Sequence, residues 1–120
     1  SKRRRLGERS IVRPVFSYYG KLVIDDSVIK NIVHIVAEDL EEVYRVGRTH
    51  VKHLVSGDDD LGITVSLEVV FAYGHTITDT MATLRRRLRA EIERMTGMVV
   101  HEIDILVKSI HVDRTVPAHA

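Results

Sequence analysis

The sequence predicts an α+β fold, a two-layer sandwich with two helices on one face of a mostly antiparallel sheet, in the order β-α-β-β-α-β. Three observations predict it. Apolar residues recur at helical spacing in two separate stretches, and they alternate strictly in a stretch between those two. Each change of period falls at a glycine or a run of turn formers. Two helices that each need one face buried, and strands long enough to cover both, make helices on one side of a sheet the economical arrangement.

Taken in order, Gly20 precedes Leu22-Val23-Ile24, a short expected strand, and Asp25, Asp26 or Ser27 can then cap a helix. Val28, Ile29, Ile32, Val33, Ile35, Val36, Leu40 and Val43 form the broad apolar arc of that helix, and Gly47 is its expected stop. Glu38, Asp39, Glu41 and Glu42 sit near its C-terminal end, the wrong end for the helix dipole, and read as a solvated acidic patch. Thr49 to Val55 alternates weakly as a strand, and Ser56 to Gly62 is dense enough in turn formers to be a hairpin tip. The clearest strand follows, with Ile63, Val65, Leu67, Val69, Phe71 and Tyr73 on one face and Thr64, Ser66, Glu68, Val70 and Ala72 on the other. Thr76 and Asp79 match a capping box; Ile77, Met81, Leu84, Leu88, Ile92 and Met95 make a narrow stripe on a second helix; Gly97 is its expected stop. Val99 to Ile110 alternates again, with Ile103, Ile105 and Val107 facing in.

The uncovered sheet face is then expected to carry His50, Lys52, Glu68, Glu102, Asp104 and Lys108, paired across strands by their mixed signs. Leu54, Val70, Val100, Leu106 and Ile110 lie among them and are the candidate self-association residues.

The chain has 120 residues, a length suited to one core, with 44% hydrophobic and 29% charged residues, a balance of neither a disordered chain nor a membrane span. No apolar segment of signal-peptide type follows the basic start, and a cytoplasmic protein is expected. The absence of cysteine excludes disulfides, thiolate metal sites and a cysteine nucleophile. The formal net charge of +1 is a sum of unlike parts, because residues 1–19 carry +5 and the rest of the chain −4. Three parts are therefore expected: a basic, flexible N-terminal tail over 1–19, a mildly acidic domain over 20–112 and a loose C-terminal tail over 113–120.

No catalytic constellation emerges, and no enzyme is expected. His50 and His53 stand three apart on an expected strand and so point to opposite faces, and no histidine pair or histidine–carboxylate motif has zinc spacing. Consecutive Asp58, Asp59 and Asp60 lack the alternating ligands and closing Glu of a calcium loop. No G-x-S-x-G, Walker A or G-x-G-x-x-G sequence occurs. No metal, cofactor or small-molecule substrate is expected. The anion or membrane-surface candidates are Lys2, Arg3, Arg4 and Arg5 in the tail and Arg85, Arg86, Arg87 and Arg89 on the second helix. For the helix arginines, a plain solvated face is the bland alternative.

Gly20-Lys21-Leu22-Val23-Ile24 followed by Val28-Ile29, and above all EVVFAYGHTITDTMATLRRRLRAEIERMTGMVVHEIDILVKSIHV from Glu68 to Val112, resemble the alkaline shock protein family of Gram-positive bacteria, also called the envelope stress response family. The strand ending at Tyr73-Gly74, the helix stop at Met95-Thr96-Gly97 and the Val-rich last strand carry the likeness over residues 20–112. Tyr44-Arg45, where many members have Pro-Gly, and the Arg85-Arg86-Arg87 run depart from it. The resemblance implies a non-enzymatic scaffold at the cytoplasmic face of the membrane that self-associates and is recruited by a membrane-anchoring protein partner, with no catalytic residues to carry over. An anionic lipid surface is a further expected partner of the tail. The rival reading is a nucleic-acid-binding module using the tail and the Arg-rich helix, which the acidic domain, the few aromatics and the lack of a GXXG clamp weigh against.

Overall fold

The first helix begins where Asp25 accepts a hydrogen bond from the Ser27 amide at 3.0 Å. Hydrogen bonding from Ser27 also holds the Asp25 carboxyl below the ordinary carboxylate range. The computed structural model describes residues 23–113, which form α1 (Asp26–Glu38), β1 (Val43–Ser56), β2 (Asp59–Ala72), α2 (Ile77–Thr96) and β3 (Val100–His111). The N-terminal segment 1–19, with Lys2, Arg3, Arg4 and Arg5, lies outside the described residues, as does the C-terminal segment after Asp113. Of the expected first strand, Leu22 is also outside them, and Val23 and Ile24 enter α1 without pairing to the sheet.

In α1 the residues Ile29, Ile32, Val33, Val36 and Ala37 are buried, the i, i+3, i+4, i+7 pattern of a helix lying on a sheet. The helix stops at Glu38, earlier than its apolar arc predicts. No basic residue lies in its last turn, so extending it would carry Asp39, Glu41 and Glu42 into the negative end of the dipole. Leu40 and Val43 remain buried through tight turns, with Leu40 N–H to Ala37 O at 3.1 Å and Val43 N–H to Leu40 O at 3.0 Å. Gly47 therefore stands inside β1 and not at a helix end.

The sheet is three strands wide in the order β1-β2-β3. Strands β1 and β2 are an antiparallel hairpin joined at Gly57-Asp58, whereas β2 and β3 run parallel, so the sheet is mixed. Helix α2 decides this. Its 20 residues return the chain by about 30 Å, so β3 re-enters the sheet at the end where β2 began, with Val100 opposite Ile63. Both helices lie on one face, α1 against β1 and α2, and α2 against β3. Leu84, Leu88 and Ile92 of α2 meet Ile63, Val65, Leu67, Val69 and Phe71 of β2 in a single core, with Ile77 and Met81 at its margin. Thr76 caps α2 without a side-chain bond, and Gly97 ends it at φ +73 with its N–H on Glu93 O.

Strand β2 alternates without interruption along its central residues, and its neighbours bend around it through bulges. Register shifts fall between Val46 and Thr49 on β1, between Val100 and Glu102, and between Val107 and Ser109 on β3. A single extra residue exchanges the faces of everything beyond it.

Candidate interaction surfaces

The bulges decide which residues reach the uncovered face of the sheet. Opposite the core, β1 presents Arg45, His50, Lys52 and Leu54; β2 presents Thr64, Ser66, Glu68 and Val70; β3 presents Glu102, Asp104, Leu106 and Ser109. Two of the five self-association candidates leave this face. Val100 shares odd–even phase with Glu102, but the extra residue His101 between them turns Val100 toward Ile63 and the core, where it is 3% exposed. Likewise the shift around Lys108 places Ile110 beside core-facing Phe71 on the helix side. Leu54 is half-buried on the open face, Leu106 is 57% exposed there, and Val70, in the same phase, is buried in the central strand between Arg45 and Ser109.

Across the open face the residues fall into rows: Lys52, Thr64 and Glu102; then His50, Ser66 and Asp104. In these two rows the basic members are on β1 and the acidic ones on β3, while the exposed Lys108 is the extra residue at the β3 bulge beyond them. Strand spacing puts these outer strands about 10 Å apart, and among the described residues Lys52, His50, Glu102 and Asp104 make no side-chain hydrogen bond or ion pair. The expected cross-strand pairing within one molecule is absent. The short side chains of Thr64 and Ser66 leave a shallow trough between the flanks, lined also by Leu54 and His101, and it continues past Arg48, Glu68 and Leu106. Sequence reasoning missed Arg45 and Arg48 as members of the basic flank. The available signal was Gly47 within an alternating stretch, which marks a bulge as readily as a helix stop. The bulge is pinned where Glu68 Oε1 accepts the Arg48 amide at 3.3 Å.

The arginines of α2 behave differently from a uniform basic face. Arg85 Nε donates to Ile103 O at 3.1 Å, and Arg89 donates to Val100 O at 3.1 Å and His101 O at 3.3 Å. Glu93 accepts the Val100 amide at 2.8 Å. Together they occupy backbone groups on the outer edge of β3 at its N-terminal half, a position that would otherwise be open to strand addition. Arg87 pairs with Asp39 at 2.8 Å and so ties α2 to the end of α1. Arg86 is exposed and, among the described residues, has no side-chain partner. Arg89→Ala is expected to lower stability by about 1 kcal/mol, since it removes one partly sheltered and one exposed hydrogen bond from a charged donor. Urea unfolding measures this, and Arg86→Ala serves as a control that stays within roughly 0.5 kcal/mol.

The histidines do not converge. His34 lies beside Glu38 on α1 at 3.5 Å, and His53 bonds Asp26 at 2.6 Å. His101 donates to the Leu61 carbonyl, and His111 stacks on Tyr44 with ring centroids 3.7 Å apart. Among the described residues no group of three or more histidine and carboxylate side chains is placed to hold a metal ion. At the hairpin end a cleft lined by Val23, Ile24, Val55, Met98 and Val99 is rimmed by Asp58 and Asp60. No helix of the described residues is long and apolar enough to cross a membrane.

Among solved structures, the fold is similar to that of a MamM CTD variant in its zinc form, at a TM-score of 0.52 and 14% identity over 77% of this chain and 94% of that one. Another MamM CTD variant, in its manganese form, matches at a TM-score of 0.51 and 12% identity over 71% of this chain and 99% of that one. At such identity the likeness concerns the fold. No curated protein matches the sequence. The sequence profile of the alkaline shock protein 23 family, described as having a cell envelope-related function, matches residues 16–112. That match spans most of the chain, including both helices, all three strands and the open sheet face, and the chain belongs to the alkaline shock protein 23 family.

Proposed function

We propose that this chain is a non-enzymatic scaffold that associates with copies of itself at the cytoplasmic side of the cell envelope, recruited there by a membrane-anchoring partner, and that it serves the response to envelope stress. The observation that carries the reading is the open sheet face, where Lys52 and His50 on one flank and Glu102 and Asp104 on the other have no side-chain partner among the described residues. The family's cell envelope-related description supplies the setting. A face of this kind fits a protein partner better than a small molecule, because its trough is shallow and lined by short polar side chains.

The segment with Lys2, Arg3, Arg4 and Arg5 adds attraction to anionic lipid. At about 1 kcal/mol per basic residue its contribution amounts to millimolar binding for one copy, so it matters through many copies held together. The competing nucleic-acid reading has less to rest on, since Arg85 and Arg89 are engaged by β3 carbonyls and Arg87 by Asp39.

The test joins light scattering of the full chain across a concentration series with flotation on vesicles containing anionic phospholipid. Mass should rise with concentration, and removal of residues 1–19 should reduce flotation severalfold. A chain that stays monomeric at every concentration overturns the scaffold reading, and equal flotation with and without residues 1–19 overturns the role given to the basic segment.

A further inference from the structure

We propose that two copies of this chain pair face to face through the open side of the sheet, about a two-fold axis running along β2, so that the basic β1 flank of each copy lies over the acidic β3 flank of the other. This rests on the self-association proposed above and adds its geometry.

Two identical sheets can be laid face to face about an axis along the strands or about one across them. The axis across the strands sets β1 on β1 and β3 on β3. It would gather Lys52 and His50 of both copies on one side and Glu102 and Asp104 of both on the other, and such like-charge juxtaposition opposes association. The axis along β2 sets β1 over β3 twice. Rows are kept in this arrangement, so Lys52 of one copy meets the other copy's Glu102, and His50 meets the other copy's Asp104, within the roughly 30° offset that aligned sheets adopt. Lys52, His50, Glu102 and Asp104, which have no partner within one molecule, then find one in the second.

The middle of the face suits such an approach. Thr64 and Ser66 are short and do not prop the sheets beyond the usual separation of about 10 Å, and Glu68 leans off the axis toward β1, where its carboxylate accepts the Arg48 amide. Leu106, 57% exposed, and half-buried Leu54 supply apolar area toward opposite ends of the face. Three strands wide and nine residues long, from Gly62 to Val70 on β2, the face has a footprint of roughly 400 Å², about half of what each partner contributes to a standard stable interface. The pair is therefore a weak, transient one.

The test is a charge exchange in the full chain. Lys52→Glu and Glu102→Lys each create two like-charge contacts and should weaken the dimer at least about tenfold in sedimentation equilibrium; the double variant Lys52→Glu/Glu102→Lys restores opposite signs and should recover dimerisation. Both positions are exposed, and unchanged thermal melts exclude misfolding as the cause. Added salt should weaken the wild-type dimer. If the wild type associates and neither single variant changes it, or if the double variant remains as weak as the singles, this geometry is overturned while self-association stands. A wild type that never associates overturns both.

Discussion

Gly62→Ala is expected to lower the unfolding free energy by roughly 3–5 kcal/mol, the upper range for a single substitution that combines strain with a clash. Gly62 has φ +112, where side chains are strained, and an added Cβ would clash with the Val99 carbonyl oxygen and lie 3.0 Å from the His101 ring. That carbonyl accepts the Ile63 amide at 2.8 Å, the first link between β2 and β3. Neither neighbour can give way easily, because His101 also donates to the Leu61 carbonyl and the Gly62 amide is bonded to Asp60 Oδ1 at 2.9 Å. The substitution therefore strikes the point where the returning chain is registered on the hairpin. Gly57→Ala separates the two causes. Gly57 also has positive φ, +61, but nothing lies within 4 Å of its added Cβ, so a loss of about 1–2 kcal/mol from backbone strain alone is expected. Urea unfolding of both variants provides the measurement; equal losses would show that the close approach at Gly62 costs nothing.

Phe71→Ala is expected to cost about 3–5 kcal/mol, and Phe71→Leu clearly less, because the loss follows the size of the cavity left behind. Phe71 is 2% exposed, stands on the central strand between Val43 and Ile110, and belongs to the one core that holds helices and sheet together. A domain of this size has little stability to spare, so the alanine variant should show a thermal midpoint lower by ten degrees or more, at roughly 4–8 °C per kcal/mol. Both variants lie away from the charged rows of the open face, so a comparison with Lys52→Glu separates loss of fold from loss of association.

Legibility differed sharply between the core and the surface. Phe71, Val69, Leu67, Val65 and Ile63 were readable as one face of a strand because β2 alternates without a break and is covered on that face by both helices. The α2 stripe Leu84, Leu88 and Ile92 was readable for the same reason at the helical period, although Met95 at its end is exposed. The edge strands were harder. Their periodicity is broken by His101, by Lys108 and by the Gly47-Arg48 pair, and odd–even counting through a bulge assigns every later residue to the wrong face. Val100 and Ile110 therefore stand on the helix side, opposite to what their phase predicts, and Arg45 and Arg48 join the basic flank. The arginine run of α2 was visible as charge, but its use was not, since Arg85 and Arg89 reach backbone carbonyls on a strand more than ten residues away.

By itself the sequence determined the two helices and the central strand, the identity of the core, the glycine stop at Gly97 and membership of an envelope-related family, because local periodicity and wording carry these. Only the tertiary structure decided that β3 runs parallel to β2, that α1 ends at Glu38, and that lysine and carboxylate on the open face stand apart on opposite flanks. The physical reason is that strand direction and register depend on where a helix returns the chain and on single extra residues in the ladder. Neither leaves a periodic trace, and both must be settled by packing between residues far apart in sequence.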